Sequence, residues 1–138
     1  MSAQFARVES ILARLAERAA ALGFDSLTPQ ERSALLAYSA HGLVARGGLR
    51  QFFEGSIPLS ELVAAFRDLK LLALANAAQT TAALFPDPSL ADDPAKRREH
   101  LAAINTDRQD YAFFRLSSEE LLRAIASLWQ RSGQPTSV

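Results

Sequence analysis

Apolar residues recur at alternating intervals of three and four from Phe5 through Val8, Leu12, Leu15 and Ala19 to Leu22. That rhythm lines them up along one stripe of an α-helix and offers none of the two-residue alternation that a half-buried strand needs. Gly23 follows, able to take the left-handed conformation that stops a helix. The next segment has a complete start signal: Thr28 as N-cap, Pro29 at the first helical position and Glu31 three residues after the cap. Together these predict a capping box and a second helix running to about Ala45.

Gly47 and Gly48 break that helix, and the short LRQFFEGSIP stretch is expected to form a loop with one helical turn. Leu59, Leu62, Val63, Phe66 and Leu69 form the apolar face of a third helix, with Pro58 near its start and Ser56 or Ser60 as candidate caps. A fourth is expected from about Leu71 to Phe85. It is nearly uncharged and rich in alanine, which marks it as the central helix. Pro86, Pro88 and Pro94 punctuate an exposed connection, after which Asp93 caps and Pro94 starts a fifth helix ending near Asn105. Residues Tyr111 to Arg115 could extend locally. Ser117 and Glu120 form a second capping box before a last helix with Leu121, Leu122, Ile125, Leu128 and Trp129 facing inward. The expected architecture is all-α: one domain over residues 1–138, a bundle of about six helices with a Gly-Gly loop and short helical turn after helix two, and a disordered tail over 132–138.

Charge excludes some partners. Fifteen Lys and Arg balance fifteen Asp and Glu, and both halves of the chain are neutral, so no charged arm points to nucleic acid or an anionic membrane. There is no cysteine, hence no disulfide or thiolate chemistry. Without an export signal or an apolar span, the expected location is the cytoplasm.

The residues that carry chemistry are few. His41 and His100 lack a second ligand at helical metal-site spacing, so neither a metal nor another cofactor is expected. Gly47 and Gly48 between Arg46 and Arg50 lack the Lys-Ser/Thr of a P-loop and the third glycine of a dinucleotide turn. Lys96, Arg97 and Arg98 read as a solvated helix face. Phe52 and Phe53 are expected to pin their loop to the core, with a partner-binding patch as the alternative. Among the acidic pairs, Asp92 with Asp93 and Glu119 with Glu120 sit at helix starts, where negative charge complements the dipole. Asp107 and Asp110 have no such explanation. No nucleophile and base are paired by spacing, and the chain is expected not to be an enzyme.

The string LTPQERSALLAYSAHGLVARGGLRQFFEGS, from Leu27 to Ser56, resembles the family of DNA-mimic protein nineteen, whose pattern is a helix, a Gly-Gly turn and a Gln-Phe-Phe core. The matching positions are Glu31, Arg32, Gly47, Gly48, Gln51, Phe52, Phe53 and Ser56, with weaker similarity at ALFP from Ala83 to Pro86 and through TDRQDYAFFRLSSEELLRAIASLWQR. The chain departs from the pattern at Ala45, Arg46 and Gly55, where asparagines are common, and at Leu49, where an aromatic is usual.

The resemblance implies an all-helical fold, allows a homodimer, and for its namesake implies occupation of the DNA-binding face of a transcription factor. A duplex carries one charge per about 1.7 Å, so mimicry by a neutral chain requires a local acidic face. Its candidates are Asp87, Asp92, Asp93, Asp107, Asp110, Glu119 and Glu120. Three functions therefore stand open. The first is docking on another protein through Arg46, Gly47, Gly48, Arg50, Gln51, Phe52 and Phe53, with no direct contact to nucleic acid or membrane. The second is DNA mimicry through the acidic residues. The third is an enzyme using the Gly-Gly loop with Asp107 or Asp110.

Overall fold

The capping signals place helix starts where the sequence puts them. In the computed structural model, which describes residues 3–133, α1 spans Ala3–Leu22 and α2 spans Pro29–Gly47. The Thr28 hydroxyl accepts from the Glu31 amide and the Glu31 carboxylate accepts from the Thr28 amide, closing the capping box. α3 (Leu49–Phe53) follows after a single residue, then α4 (Leu59–Asp68) and α5 (Leu72–Thr80). α6 (Pro94–Arg98) starts under an Asp93 cap, α7 spans Asp107–Phe114, and α8 (Ser118–Arg131) opens with the Ser117–Glu120 capping box. Short 3₁₀ turns at 24–26, 81–84, 88–92 and 101–103 link these elements, and the described residues contain no strand.

The fold is all-α, with eight α-helices among the described residues where about six were expected. The two additions are short. α3 takes the stretch expected to be a loop with one turn, and α7 takes the ambiguous segment in which Tyr111 to Arg115 could have extended. The expected fourth helix is shorter than its composition suggests: it ends at Thr80 and continues as a 3₁₀ turn to Leu84. The fifth stops at Arg98, and Leu101–Ala103 forms a separate turn. Neither Ser56 nor Ser60 caps α4, whose N-cap is Pro58; the Ser60 amide instead donates to Asp92 Oδ1 at 2.8 Å.

The central helix is α2, not the alanine-rich segment. Five consecutive residues of α2, 33–37, are buried, and it packs against α1, α3, α4, α7 and α8. α5 buries only Leu74, Ala75 and Ala78, while Leu72 and Ala73 face solvent. α8 lays Leu121, Leu122, Ile125, Leu128 and Trp129 against α1 and α2. Each such side chain contributes about 1.5–3 kcal/mol by leaving water. Ser132 and Gly133, the first residues of the expected tail, close α8 with turn hydrogen bonds, and residues 134–138 lie outside those described. No described helix is long and apolar enough to cross a membrane.

Candidate functional site

The Gly-Gly-x-x-Gln-Phe-Phe segment is built around one residue that ends a helix and begins another. The Gly48 amide donates to the Val44 carbonyl at 2.8 Å, closing α2, while the Gly48 carbonyl accepts from the Gln51 amide at 2.9 Å, opening α3. This needs φ of +75°, a left-handed angle that glycine takes without steric cost. A Cβ here would also lie 2.5 Å from Asp110 Oδ2. Gly47 is different: it is the last residue of α2, and a Cβ on it would meet chiefly the end of the flexible Gln51 side chain, at 2.8 Å.

Asp110, reaching over from α7, is the reason for the close approach. It is 6% exposed, its Oδ1 accepts from the Leu49 amide at 2.7 Å, and its Oδ2 accepts from the Thr106 hydroxyl at 3.0 Å. The first turn of α3 has amides without helical partners, and Asp110 satisfies one with a charge-assisted bond. The acid that the spacing of the sequence left unexplained is thus a cap supplied from a distant helix.

The other end of α3 is held by Arg97. The charged run of α6 was expected to be solvated, but Arg97 is 0% exposed. Its Nε donates to the Phe53 carbonyl at 2.9 Å, Nη1 to Ile57 at 2.7 Å and Ala91 at 2.8 Å, and Nη2 to Gly55 at 2.9 Å and Phe52 at 3.4 Å. These use all five N–H donors of a guanidinium. The charge also lies over the rings of Phe52 and Phe53, at 5.4 and 5.3 Å from their centroids. Burial, with Arg98 nearby, pushes the Arg97 pKa below its ordinary value, while Asp92 and Asp93 pull it back up. Arg98 donates to the Glu54 carbonyl, so two of the three basic residues expected to be solvated bind backbone.

Phe52 and Phe53 are both buried, in edge-on contact with each other, and Phe53 meets Phe85 likewise. They pin α3 to the core and present no patch. Of the expected docking motif, Arg46, Gly47, Arg50 and Gln51 are exposed, and Gly48, Phe52 and Phe53 are not.

The acidic candidates divide in the same way. Asp92 accepts from the Ser60 amide, Asp93 caps α6, Glu120 closes its capping box and Asp110 is buried. Asp107 and Glu119 are exposed in the first turns of α7 and α8. His41 directs Nε2 at the Leu116 carbonyl, 2.9 Å away, so that nitrogen carries the hydrogen and donates. The His100 ring packs edge-on against Phe85. No three His, Asp or Glu side chains among the described residues are grouped to hold a metal ion.

Two surface features were not foreseen. A groove of about 690 Å³ runs between α1 and α2, and across it the Tyr38 hydroxyl donates to Glu9 Oε2 at 3.0 Å. Burial, then the hydrogen bond and charge of Glu9, raise the Tyr38 pKa.

The second feature is apolar. Leu72 at the start of α5 is 61% exposed, and Tyr111 and Phe114 on α7 are 62% and 59% exposed. Two depressions flank the end of α7 and meet at Leu116. One, of about 340 Å³, is lined by Lys70–Leu74, Ala112 and Arg115; the other, of about 150 Å³, by His41, Ala45, Phe113 and Phe114. Phe113 points inward to an edge-on contact with Phe66, which leaves Phe114 outside. The adjacent phenylalanines of α7 were the available signal, since neighbours on a helix cannot face the same way.

No curated protein and no solved structure matches this chain. The family model for DMP19-like protein matches residues 25–129, from the turn before α2 to the last turn of α8, and so takes in the whole α3 clamp together with the α5–α7 face. The chain belongs to the DMP19-like protein family.

Proposed function

We propose that this chain is a non-catalytic protein-binding domain and that its docking face is the exposed surface shared by α5 and α7. The observation that carries this is exposure: Leu72 on α5 and Tyr111 and Phe114 on α7 are each about 60% exposed, and Leu72 lines one, Phe114 the other, of two depressions that share Leu116. Scattered apolar residues are normal on a surface, but exposed large aromatics beside concave apolar ground have the composition of an interface core.

The expected motif surface is supported only on its outer side, at Arg46, Arg50 and Gln51. DNA mimicry gains little from the acidic residues: the carboxylates of Asp87, Asp92, Asp93, Asp110 and Glu120 each accept from a backbone amide, which leaves Asp107 and Glu119 as too few for a phosphate-like array. A catalytic role for Asp110 is likewise disfavoured, because both of its oxygens are occupied beneath Gly48.

Affinity capture from the native host with the full chain tests the proposal. A protein retained by the wild type and by an Arg50→Glu/Gln51→Glu variant, but lost from a folded Leu72→Ser/Phe114→Ser variant, is the expected result. Loss from the first variant and retention by the second would move the docking face to α3.

A further inference from the structure

The larger of the two depressions says more about its occupant than its apolar character alone. Leu71, Leu72, Leu74, Ala112 and Leu116 provide its apolar lining, and its charged lining residues are Lys70 and Arg115, with no carboxylate among them. Both cations are exposed. The Arg115 guanidinium stacks 5.8 Å from the Tyr111 ring centroid, which holds it above the same helix face.

The backbone at Lys70 is a second, independent observation. It is the one non-glycine among the described residues with positive φ, at +60°. The turn it makes is the one that ends α4: the Leu71 amide donates back to the Phe66 carbonyl at 2.9 Å. Glycine or asparagine normally fills that position, because a Cβ there crowds the following carbonyl. A lysine is held in a strained conformation at the rim of an apolar depression, and strain of this kind concentrates at functional positions.

We infer that this depression binds an acidic amphipathic segment of a protein partner, whose apolar side chains enter between Leu72 and Leu116 while its carboxylates meet Lys70 and Arg115. The inference rests on the proposed α5–α7 docking face and names the chemistry of what docks there. Opposite charges on the rim select the partner and its register, and the apolar floor supplies most of the affinity.

The test is fluorescence anisotropy with the full chain and a labelled peptide that carries leucines along one helical face and glutamates along the other. Its lysine counterpart and a glutamate-only peptide serve as controls. The glutamate–leucine peptide is expected to bind saturably and to weaken at least tenfold against Lys70→Glu/Arg115→Glu, which should instead take up the lysine counterpart. Lys70→Gly is expected to weaken binding several-fold while its thermal midpoint stays level or rises. The inference is overturned if the wild type binds both amphipathic peptides alike, or if the glutamate-only peptide binds as well. It is equally overturned if the charge-reversed protein keeps its affinity, if phosphatidylserine vesicles outcompete the peptide, if light scattering shows a second copy of the chain filling the face, or if Lys70→Gly unfolds earlier. If Leu72→Ser/Phe114→Ser abolishes host capture and charge reversal does not, the docking face stands and the acidic partner falls. If neither change affects capture, both fall.

Discussion

The α3 segment and the α5–α7 face are opposites. α3 is conspicuous in the sequence, with paired glycines, paired phenylalanines and flanking arginines, and yet Gly48 and both phenylalanines are spent on internal architecture. Asp110 caps its start, Arg97 gathers the carbonyls at its end, and both phenylalanines are buried. The α5–α7 face carries no motif, but three large apolar side chains stand out from it. Unusual residue combinations here mark backbone constraint. A helix of five residues cannot sustain itself by its own hydrogen bonds, so its ends must be satisfied by groups from elsewhere, and at Gly48 the approach of Asp110 needs glycine.

Arg97 is the distant group on which α3 depends most. Replacing it with leucine leaves a cluster of buried carbonyls without donors, and is expected to cost about 3–5 kcal/mol in urea unfolding. A cost below about 1 kcal/mol would mean that water replaces the guanidinium and that the clamp is not one. Next come the two glycines, whose contrast is sharper than their adjacency suggests. Gly48→Ala is expected to cost about 2–4 kcal/mol through the positive φ and displacement of Asp110, whereas Gly47→Ala should stay within about 1 kcal/mol of wild type. Equal effects at both positions would remove the structural account of the pair.

Smaller effects sharpen the picture at the groove between α1 and α2. Tyr38→Phe is expected to lose about 0.5–1 kcal/mol at neutral pH, where the hydroxyl donates to Glu9. The sign of its pH dependence is fixed by the raised pKa. The folded protein holds the phenolic proton more tightly than the unfolded chain, so the margin is fully present below the ordinary value of 10.0 and is lost as pH rises through the raised one. Parallel urea titrations of wild type and variant over that range should converge; a margin that widened would contradict it. Smallest of all, Phe114→Ser and Leu72→Ser should each change stability by no more than about 0.5 kcal/mol, as exposed positions do. A larger loss at either would make the α5–α7 face part of the core.

Much of the fold was legible because capping is local. Thr28 with Glu31, Asp93 with Pro94 and Ser117 with Glu120 each declare a helix start within four residues, and all three do so in the structure. The long amphipathic faces of α1 and α8 were equally plain. What escaped depended on distance along the chain. Nothing near Arg97 reveals that carbonyls more than forty residues away converge on it, and nothing near Asp110 reveals Leu49, sixty-one residues distant. α7 was obscured because its inward residues, Asp110 and Phe113, include a charge that periodicity counts as solvent-facing. The central position of α2 was missed because burial on all sides gives five successive buried residues and blurs the stripe. The candidate docking face was hinted at only by Phe113 and Phe114.

The claim that α3 is internal support while α7 meets a partner is tested most directly by placing a photo-reactive amino acid at position 51 in one protein and at position 114 in another, then irradiating the native host. Both positions are exposed, so each can report a neighbour. A protein adduct from position 114 and none from position 51 is expected. An adduct from position 51 with none from position 114 would contradict it.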